Sequence, residues 1–209
     1  MKRIISFSLW GNADKYNTGA LINIEEAKIV YPGWTCRFYV QENTPAIAAL
    51  QNADCETIVM KPEAGNLPMF WRFYAVSDQD MECVIIRDCD SRVNFREQMA
   101  VDAWLESGKT LHLMHDYPPP HATEIILGGM WGIRGGAIKN MPELVKSWTQ
   151  THNYHIWCAD MLFLNEVIWP MFRGDYLSHG VDFRDGKGVP FPPHKPMRFG
   201  EYVGQVIEV

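Results

Sequence analysis

Short apolar runs rich in β-formers alternate with helical patterns along the first half of this 209-residue chain. Parallel strands need a crossover connection, usually a helix, so this alternation is typical of a mostly parallel sheet flanked by helices. The predicted strands cover residues 3–9, 36–40, 56–60, 83–86 and 110–114. The sequence therefore predicts the α/β class.

Helix signals lie between these strands. Asn17 is predicted to cap the first helix. Asn94, with Glu97 three residues later, forms a capping-box pattern for a helix that Gly108 ends. Further helices are predicted at residues 44–50, 66–78, 143–149 and 159–168. Beyond residue 114 the pattern loosens, and no further strand is predicted.

The size of the chain bounds its domain organisation. Hydrophobic residues make up 47% of the sequence, which is enough to bury one sizeable core. We expect one domain over residues 1–209. The last residues, Val206 to Val209, resemble a structural element more than a tail. This ending predicts a domain cut from a longer polypeptide, with the other domains as partners.

Charge and cysteine usage exclude several classes of protein. The net charge of −6 argues against a nucleic-acid scaffold, because neutralising phosphates requires clustered Lys and Arg. No apolar run is long enough to span a bilayer, and Ser6, Ser8 and Gly11 interrupt the first apolar stretch, so no signal peptide is predicted. The five cysteines are irregularly spaced, which predicts reduced thiols in a cytoplasmic compartment.

Two aspartates, Asp88 and Asp90, directly follow the predicted strand at residues 83–86. Side chains alternate along an extended chain, so both carboxylates point the same way, beyond the carboxyl end of a strand where ligands gather. Like charges repel unless a cation lies between them, and hard oxygen ligands favour Mg²⁺ or Mn²⁺. The motif therefore predicts a divalent-cation site.

An Asp-x-Asp sequence can also have a purely structural role, in a solvated turn or a helix cap. The position after an apolar strand, with Arg87 and Arg92 on either side, favours the metal hypothesis. That hypothesis would be wrong if the two carboxylates faced away from any cleft. It would also be wrong if they were held in salt bridges with neighbouring arginines.

Two segments carry a family resemblance: R-D-C-D-S-R-V-N-F-R-E at residues 87–97 and G-G-M-W-G at residues 128–132. They resemble the small GT-A fold nucleotide-sugar glycosyltransferases, including those encoded by large algal (chlorella) viruses. The resemblance implies a Rossmann-like domain that transfers a hexose-type sugar from a nucleotide diphosphate donor to a hydroxyl of a glycan acceptor. The family resemblance favours UDP as the nucleotide of the donor. It also implies a viral protein of glycan biosynthesis in the host cytoplasm.

The same resemblance implies roles for individual residues. Asp90 would be the main ligand of Mn²⁺ or Mg²⁺, and Asp88 would contact the ribose or the metal. Trp10 or Tyr16 would stack on the base, although Trp10 could instead close the core. The implied nucleotide-sugar-binding residues are Ser8, Leu9, Trp10, Gly11, Tyr16, Arg72, Asp88, Cys89, Asp90, Gly129 and Trp131.

Several of these positions have a second interpretation. Arg72 could reach the diphosphate or pair with a carboxylate. Gly128 and Gly129 would let the backbone approach a sugar, with Trp131 offering a flat face to a pyranose. The alternative is a turn permitted by glycine next to a buried indole.

Histidines are further candidates. Members of the fold often complete the metal shell with a histidine near the C-terminus, which implies His179 as a metal ligand and His194 as the next candidate. His112, His115 and His121 lie close together in the sequence. Their spacing matches no zinc pattern, which favours acceptor contact or a structural role.

Asp160 opens a predicted helix, where the helix dipole favours a carboxylate in the first turn. The resemblance implies a catalytic role instead, in which Asp160 binds donor hydroxyls or acts on the acceptor. An inverting reaction needs such a base, whereas a retaining one needs attack from the leaving-group face. The residues do not distinguish the two outcomes; retention is our expectation.

Two other functions compete with the glycosyltransferase hypothesis. A phosphohydrolase of the haloacid dehalogenase type also places Asp-x-Asp after an apolar strand, but on its first strand, and with Thr or Val where Arg92 stands here. A non-catalytic nucleotide-sugar or carbohydrate binding module would differ from the enzyme only in releasing no nucleoside diphosphate.

Overall fold

The structure is a computed structural model that describes residues 1–116, 124–180, 187–193 and 202–208. Its centre is one seven-stranded sheet. The strands are β1 (Lys2–Leu9), β2 (Thr35–Gln41), β3 (Glu56–Met60), β4 (Met81–Ile86), β5 (Leu111–His115), β6 (Trp131–Arg134) and β7 (Tyr176–Gly180). They lie in the order β3-β2-β1-β4-β6-β5-β7.

Helices connect these strands. The α-helices are α1 (Asp14–Val30), α2 (Ile47–Gln51), α3 (Phe95–Ser107), α4 (Met141–Thr149), α5 (Ala159–Phe163) and α6 (Trp169–Phe172). A 3₁₀ helix spans Leu67–Ser77, and one π-helical stretch, Leu164–Ile168, joins α5 to α6. In the part of the chain that the structure describes, no helix is both long and apolar enough to cross a membrane.

The sheet is mostly parallel. The pairs β1–β2, β1–β4, β2–β3 and β5–β7 are parallel, and β6 runs antiparallel between β4 and β5. The other six strands therefore end at the same edge of the sheet. This architecture confirms the α/β prediction, and it places β4, which precedes the two aspartates, at the centre of the sheet.

Each face of the sheet carries its own apolar core. Ile4 on β1 and Ile86 on β4 face a cluster that includes the aromatic residues of the 3₁₀ helix. Ile5 and Ile85, their neighbours along the strands, face a second cluster built with α1 and α3. Alternation of side chains along each strand thus gives two buried faces, which explains why these strands read as continuous apolar runs.

Sequence reasoning missed two strands, β6 and β7, and β6 is the more informative of them. Residues 128–136 read as a glycine-rich stretch, yet Trp131–Arg134 within it pairs with both β4 and β5. The strand has only four residues, two of them buried aromatic or aliphatic ones, and is too short for an alternating pattern to be recognised.

The first helix begins one turn earlier than predicted. α1 starts at Asp14 with Ala13 at the N-cap, so Asn17 lies inside the helix. The Asn17 amide donates to the Ala13 carbonyl at 3.0 Å and accepts the Ala46 N–H at 3.1 Å. Asn17 therefore ties the start of α1 to the start of α2 instead of acting as a cap.

The predicted start of α3 is confirmed. Asn94 Oδ1 accepts the Glu97 N–H at 3.0 Å, and Gly108 ends the helix in the left-handed region at φ 71°. The Glu97 carboxylate is buried, where it accepts hydrogen bonds from Tyr31 Oη at 3.0 Å and Arg87 Nε at 3.1 Å. The ion pair thereby fixes α3 to Arg87, the residue directly before Asp88.

Replacing Asn94 tests this cap. Asn94→Ala removes the acceptor for the Glu97 N–H, so we expect the free energy of unfolding to fall by about 1 kcal/mol in urea denaturation. Asn94→Asp keeps an acceptor oxygen and should lose much less. An unchanged urea midpoint in Asn94→Ala would contradict the capping role.

Candidate functional site

A cleft of about 680 Å³ lies at the carboxyl edge of the sheet, where β1 and β4 end. Its walls come from the loop after β1, the first turn of α1, the 3₁₀ helix, the residues after β4, the glycine segment before β6, the start of α5 and residues 202–206. Side chains that follow different parallel strands meet at such an edge, which makes it the usual place for a ligand.

Asp88 and Asp90 both line this cleft. The side chain of Asp88 is 43% exposed and forms an ion pair with Arg72, which comes from the 3₁₀ helix. Asp90 is nearly buried, and its Oδ2 lies 3.2 Å from Lys15 Nζ. The aspartates thus face a cleft, but one of them is already paired with an arginine, although not with either arginine that flanks the motif.

Arg72 joins two carboxylates at the floor of the cleft. Its buried guanidinium bonds to Asp88 through Nη1 and donates from Nη2 to Asp160 Oδ2 at 2.7 Å. Its backbone N–H donates to Ser8 Oγ at 2.8 Å, and its carbonyl accepts from Ser6 Oγ at 2.7 Å. Of the two interpretations open from the sequence, the structure shows carboxylate pairing, with the Arg72 backbone fixed by β1.

Gly128 and Gly129 allow these ion pairs to form. A Cβ atom at Gly129 would lie 1.9 Å from Asp88 Oδ2, and one at Gly128 would lie 2.4 Å from Asp160 Oδ2. Both distances are far shorter than any real contact, so a side chain at either position would displace a carboxylate. Close approach to the two aspartates therefore explains the glycine pair.

The loop that carries the aspartates is fixed from behind. Asn23 on α1 donates from Nδ2 to the Ser91 carbonyl at 2.8 Å, and Arg92 Nη1 donates to the Cys89 carbonyl at 3.1 Å. A Cβ atom at Gly19 would lie 2.0 Å from the Cys89 oxygen, so α1 packs directly against this loop. The orientation of the carboxylates is set by this packing.

The described lining of the cleft carries an excess of negative charge. Among its described lining residues, Asp88, Asp90 and Asp160 face two cations, Arg72 and Lys15. Burial raises the pKa of Asp90, the charge of Asp88 raises it further, and Lys15 opposes both effects. Burial also raises the pKa of Asp160 against the lowering effect of Arg72. A bound cation would relieve this imbalance.

Four predicted nucleotide-sugar-binding residues have buried side chains that lie outside the described cleft lining, so a ligand-facing side chain is ruled out for them in this structure. Leu9 and Trp131 belong to the two apolar cores, so the buried-indole alternative is right for Trp131. Ser8 Oγ accepts the Arg72 N–H, and Cys89 Sγ donates to the Ser8 carbonyl at 3.3 Å. These side chains support the site without facing a ligand.

Trp10 and Tyr16 do line the cleft. Trp10 is half-buried and also packs against a core cluster, so its core role is present and its contact with a base stays a prediction. Lys15 Nζ lies 4.8 Å from the centroid of the Tyr16 ring. Gly11, at φ 72°, makes the turn after β1 and lies outside the cleft lining. The loop after β1 therefore presents two aromatic rings to the cleft.

His179 is not brought to the two aspartates. Its Nδ1 lies 2.9 Å from His112 Nε2, and both rings are buried, with the His112 ring stacked on Trp104. Burial lowers the pKa of His179 to about 4. This pairing corrects the predicted metal role for His179, because its ring joins β7 to β5 instead of reaching the cleft.

His194 and His121 lie outside the described residues. Within the ranges that the structure describes, no three His, Cys, Asp or Glu side chains are grouped to hold a metal ion. Asp88 and Asp90 remain the predicted ligands, and the rest of the shell would come from water and substrate oxygens, as Mg²⁺ commonly requires.

Sequence reasoning missed two contributions to the site. Lys15 reaches Asp90 from the first turn of α1. The loop after β1 brings this turn to the cleft, but no sequence motif marks Lys15. The segment 202–208 forms one wall, since the Ile207 N–H donates to the Asp90 carbonyl at 2.8 Å and the Val203 N–H donates to Asp116 Oδ2 at 2.9 Å. Both bonds use backbone donors, which no residue pattern reveals.

Comparison with known proteins identifies the fold. No protein-family model and no curated protein sequence matches the chain. A solved structure of a glycosyltransferase involved in the glycosylation of the major capsid of PBCV-1 matches with a TM-score of 0.55 and 16% identity. That match covers 86% of this chain and 82% of the other.

Two further solved structures extend this likeness. The glycosyltransferase GlyE from Streptococcus pneumoniae TIGR4 has a TM-score of 0.54 and 12% identity, over 85% of this chain and 45% of GlyE. Glucosyl-3-phosphoglycerate synthase from Mycobacterium tuberculosis, in complex with Mn²⁺, UDP-glucose and glycerol 3-phosphate, has a TM-score of 0.51 and 9% identity, over 94% and 73% of the two chains. The chain therefore has the GT-A-type, Rossmann-like fold.

Alanine substitutions at glycines test the geometry of the cleft floor. Gly129→Ala places a methyl group against Asp88, so we expect a loss of about 1–3 kcal/mol in the free energy of unfolding, measured in urea. Gly174→Ala is the matched control, because a Cβ atom there meets nothing within 4 Å. Equal stability of the two variants would show that Asp88 does not lie against Gly129.

Proposed function

We propose that this chain is a metal-dependent glycosyltransferase that moves a hexose-type sugar from a nucleotide diphosphate donor, UDP-sugar in our view, to a hydroxyl of a glycan acceptor. The observation that carries the proposal is the placement of Asp88, Asp90 and Asp160 in one cleft at the carboxyl edge of a GT-A-type sheet. The likeness of the fold to solved glycosyltransferases supports it.

The cleft residues fit a Mn²⁺ or Mg²⁺ ion. Asp88 and Asp90 offer hard carboxylate oxygens, and the pKa of Asp90 is raised by burial and by its like-charged neighbour. A diphosphate would add further negative charge to a cleft whose described lining already holds more carboxylates than cations. Asp90 would be the main ligand of the ion, with Asp88 on the ion or the ribose. When bound, the ion would supply Lewis-acid stabilisation of the departing diphosphate.

Two aromatic residues of the cleft support a nucleotide subsite. Trp10 and Tyr16 both line the cleft, and Lys15, which pairs with Asp90, lies over the Tyr16 ring. A base stacked on either ring would bring its diphosphate towards the aspartates. We propose uridine as the base because UDP is the proposed nucleotide of the donor. Stacking on an aromatic ring does not itself select one base over another.

Asp160 is the proposed catalytic residue. Its Oδ1 accepts the Met161 N–H at 2.9 Å and its Oδ2 accepts from Arg72 at 2.7 Å, so its orientation is fixed. Because both oxygens already accept hydrogen bonds, contact with hydroxyls of the transferred sugar suits this carboxylate better than proton abstraction. That role supports a retaining reaction, in which the acceptor attacks from the leaving-group face.

Other features support the acceptor side and the compartment. The Trp157 side chain lines the cleft and is 71% exposed, as expected of a ring that receives a sugar. All five cysteines lie in the described residues and are free thiols, which supports a reducing, cytoplasmic compartment. A viral origin, and a place within a longer polypeptide, stay predictions.

A thermal-shift panel tests the proposal directly. We expect one class of nucleotide diphosphate sugar to raise the melting temperature in the presence of Mn²⁺, since a ligand that binds the native state stabilises it by mass action. EDTA should abolish the shift, and so should Asp90→Ala. Asp54→Ala, which changes an exposed aspartate before β3 at the opposite edge of the sheet, is the matched control.

Release of nucleoside diphosphate separates an enzyme from a binding module. Slow, metal-dependent release from the stabilising donor is expected for the wild type and for Asp54→Ala. Donor binding without any release would favour the binding module. Metal-independent binding, with turnover unchanged in Asp90→Ala, would refute the metal assignment.

The raised pKa of Asp90 predicts a pH dependence of metal binding. The ion binds the ionised carboxylate, so affinity is full above the pKa of Asp90 and falls as pH drops through it. Because that pKa is raised, the loss should begin at a higher pH than for an ordinary aspartate, whose pKa is about 3.9. Mn²⁺ titrations between about pH 7 and pH 4 measure this, and affinity that stays constant down to about pH 4 would contradict it.

A further inference from the structure

Among the residues that the structure describes, Lys15 is the less constrained of the two cations that line the cleft. It lies in the first turn of α1, and its Nζ is 3.2 Å from Asp90 Oδ2 and 4.0 Å from Glu208 Oε1. Its side chain is 29% exposed and lines the same cleft as the aspartate motif. No motif in the sequence assigns it a role.

The two cations that line the described part of the cleft differ in their freedom to move. Arg72 is buried and divided between Asp88 and Asp160, so moving it would leave two carboxylates without their partner. Lys15 makes its shortest ion pair with Asp90, at 3.2 Å, and its ammonium also lies over the partly exposed Tyr16 ring, all from a flexible four-carbon stem. Lys15 is therefore the cation that can change partners at low cost.

A ligand would change the surroundings of Lys15 in two ways. A divalent ion on Asp90 would place a like charge beside the Lys15 ammonium and weaken its hold on the carboxylate. A diphosphate in the cleft would offer a new anionic partner within reach of the same stem. The two ligands would thus favour the same movement of Lys15.

We propose that Lys15 neutralises Asp90 in the ligand-free protein and transfers to the donor diphosphate when a divalent cation takes over Asp90. This inference rests on the proposed function, and it adds a diphosphate-binding residue to it. Lys15 competes with the metal for Asp90 when no nucleotide is present, and it attracts the nucleotide once the metal is bound. Metal and diphosphate therefore assist each other's binding.

The exchange predicts opposite effects on two dissociation constants. Lys15→Met keeps the stem and removes the charge. Without the competing ammonium, Mn²⁺ alone should bind about fivefold more tightly, as expected for a partly exposed ion pair. With Mn²⁺ present, the nucleoside diphosphate should bind about tenfold more weakly, because a charge-assisted contact is lost.

The experiment uses the full 209-residue chain. Free Mn²⁺ is measured by electron paramagnetic resonance without nucleotide, and binding of UDP, GDP and ADP is measured by calorimetry with saturating Mn²⁺. Lys28→Met is the matched control, since Lys28 lies on the same helix, is 46% exposed and pairs with Glu25 at 2.7 Å. Lys15→Arg keeps the positive charge and should retain diphosphate binding close to that of the wild type.

The outcomes separate this inference from the proposed function. Tighter Mn²⁺ binding together with weaker diphosphate binding in Lys15→Met, with Lys28→Met unchanged, supports the exchange. Both constants within about twofold of the wild type, or both weakened, would overturn it while leaving the glycosyltransferase proposal intact. A wild type that binds neither Mn²⁺ nor any of the three nucleotides would overturn both. Urea denaturation of each variant verifies that it is folded.

Discussion

The bridge that Arg72 makes between Asp88 and Asp160 is the interaction on which the cleft depends. A buried guanidinium without carboxylate partners would be strongly destabilising, and two carboxylates this close would repel each other without it. The neighbouring features follow from this requirement. Ser8 fixes the backbone of Arg72 from β1, and the glycines before β6 leave room for the carboxylates.

The topology of the sheet explains how distant parts of the chain reach this bridge. Arg72 comes from the connection between β3 and β4, Asp88 follows β4, and Asp160 lies in the first turn of α5. Parallel strands bring their carboxyl ends to a single edge, and antiparallel β6 then starts at this edge, directly after the glycine pair. A cleft lined by opposite charges is thus a consequence of strand direction as much as of residue type.

The sequence predicts the class of fold because buried parallel strands leave a local signal. Strand 56–60 was predicted with its observed bounds, and the Asn94 cap was predicted because its pattern is local too. The errors concern contacts between distant segments. The sequence predicts ligand contacts for Trp131 and His179, but both side chains are buried against neighbouring strands. A linear pattern does not show which side of a short strand faces solvent. Lys15 was missed for the same reason.

The bond from the Ile207 N–H to the Asp90 carbonyl also bears on how the protein is made. It joins positions more than half the chain apart, so the aspartate loop cannot acquire this bond until the segment around Ile207 has left the ribosome. Contacts of such long range form late in folding, because closing the intervening loop loses conformational entropy before the contact stabilises the chain. Strands β1 to β4 of a nascent chain therefore leave the ribosome before this wall of the cleft can form.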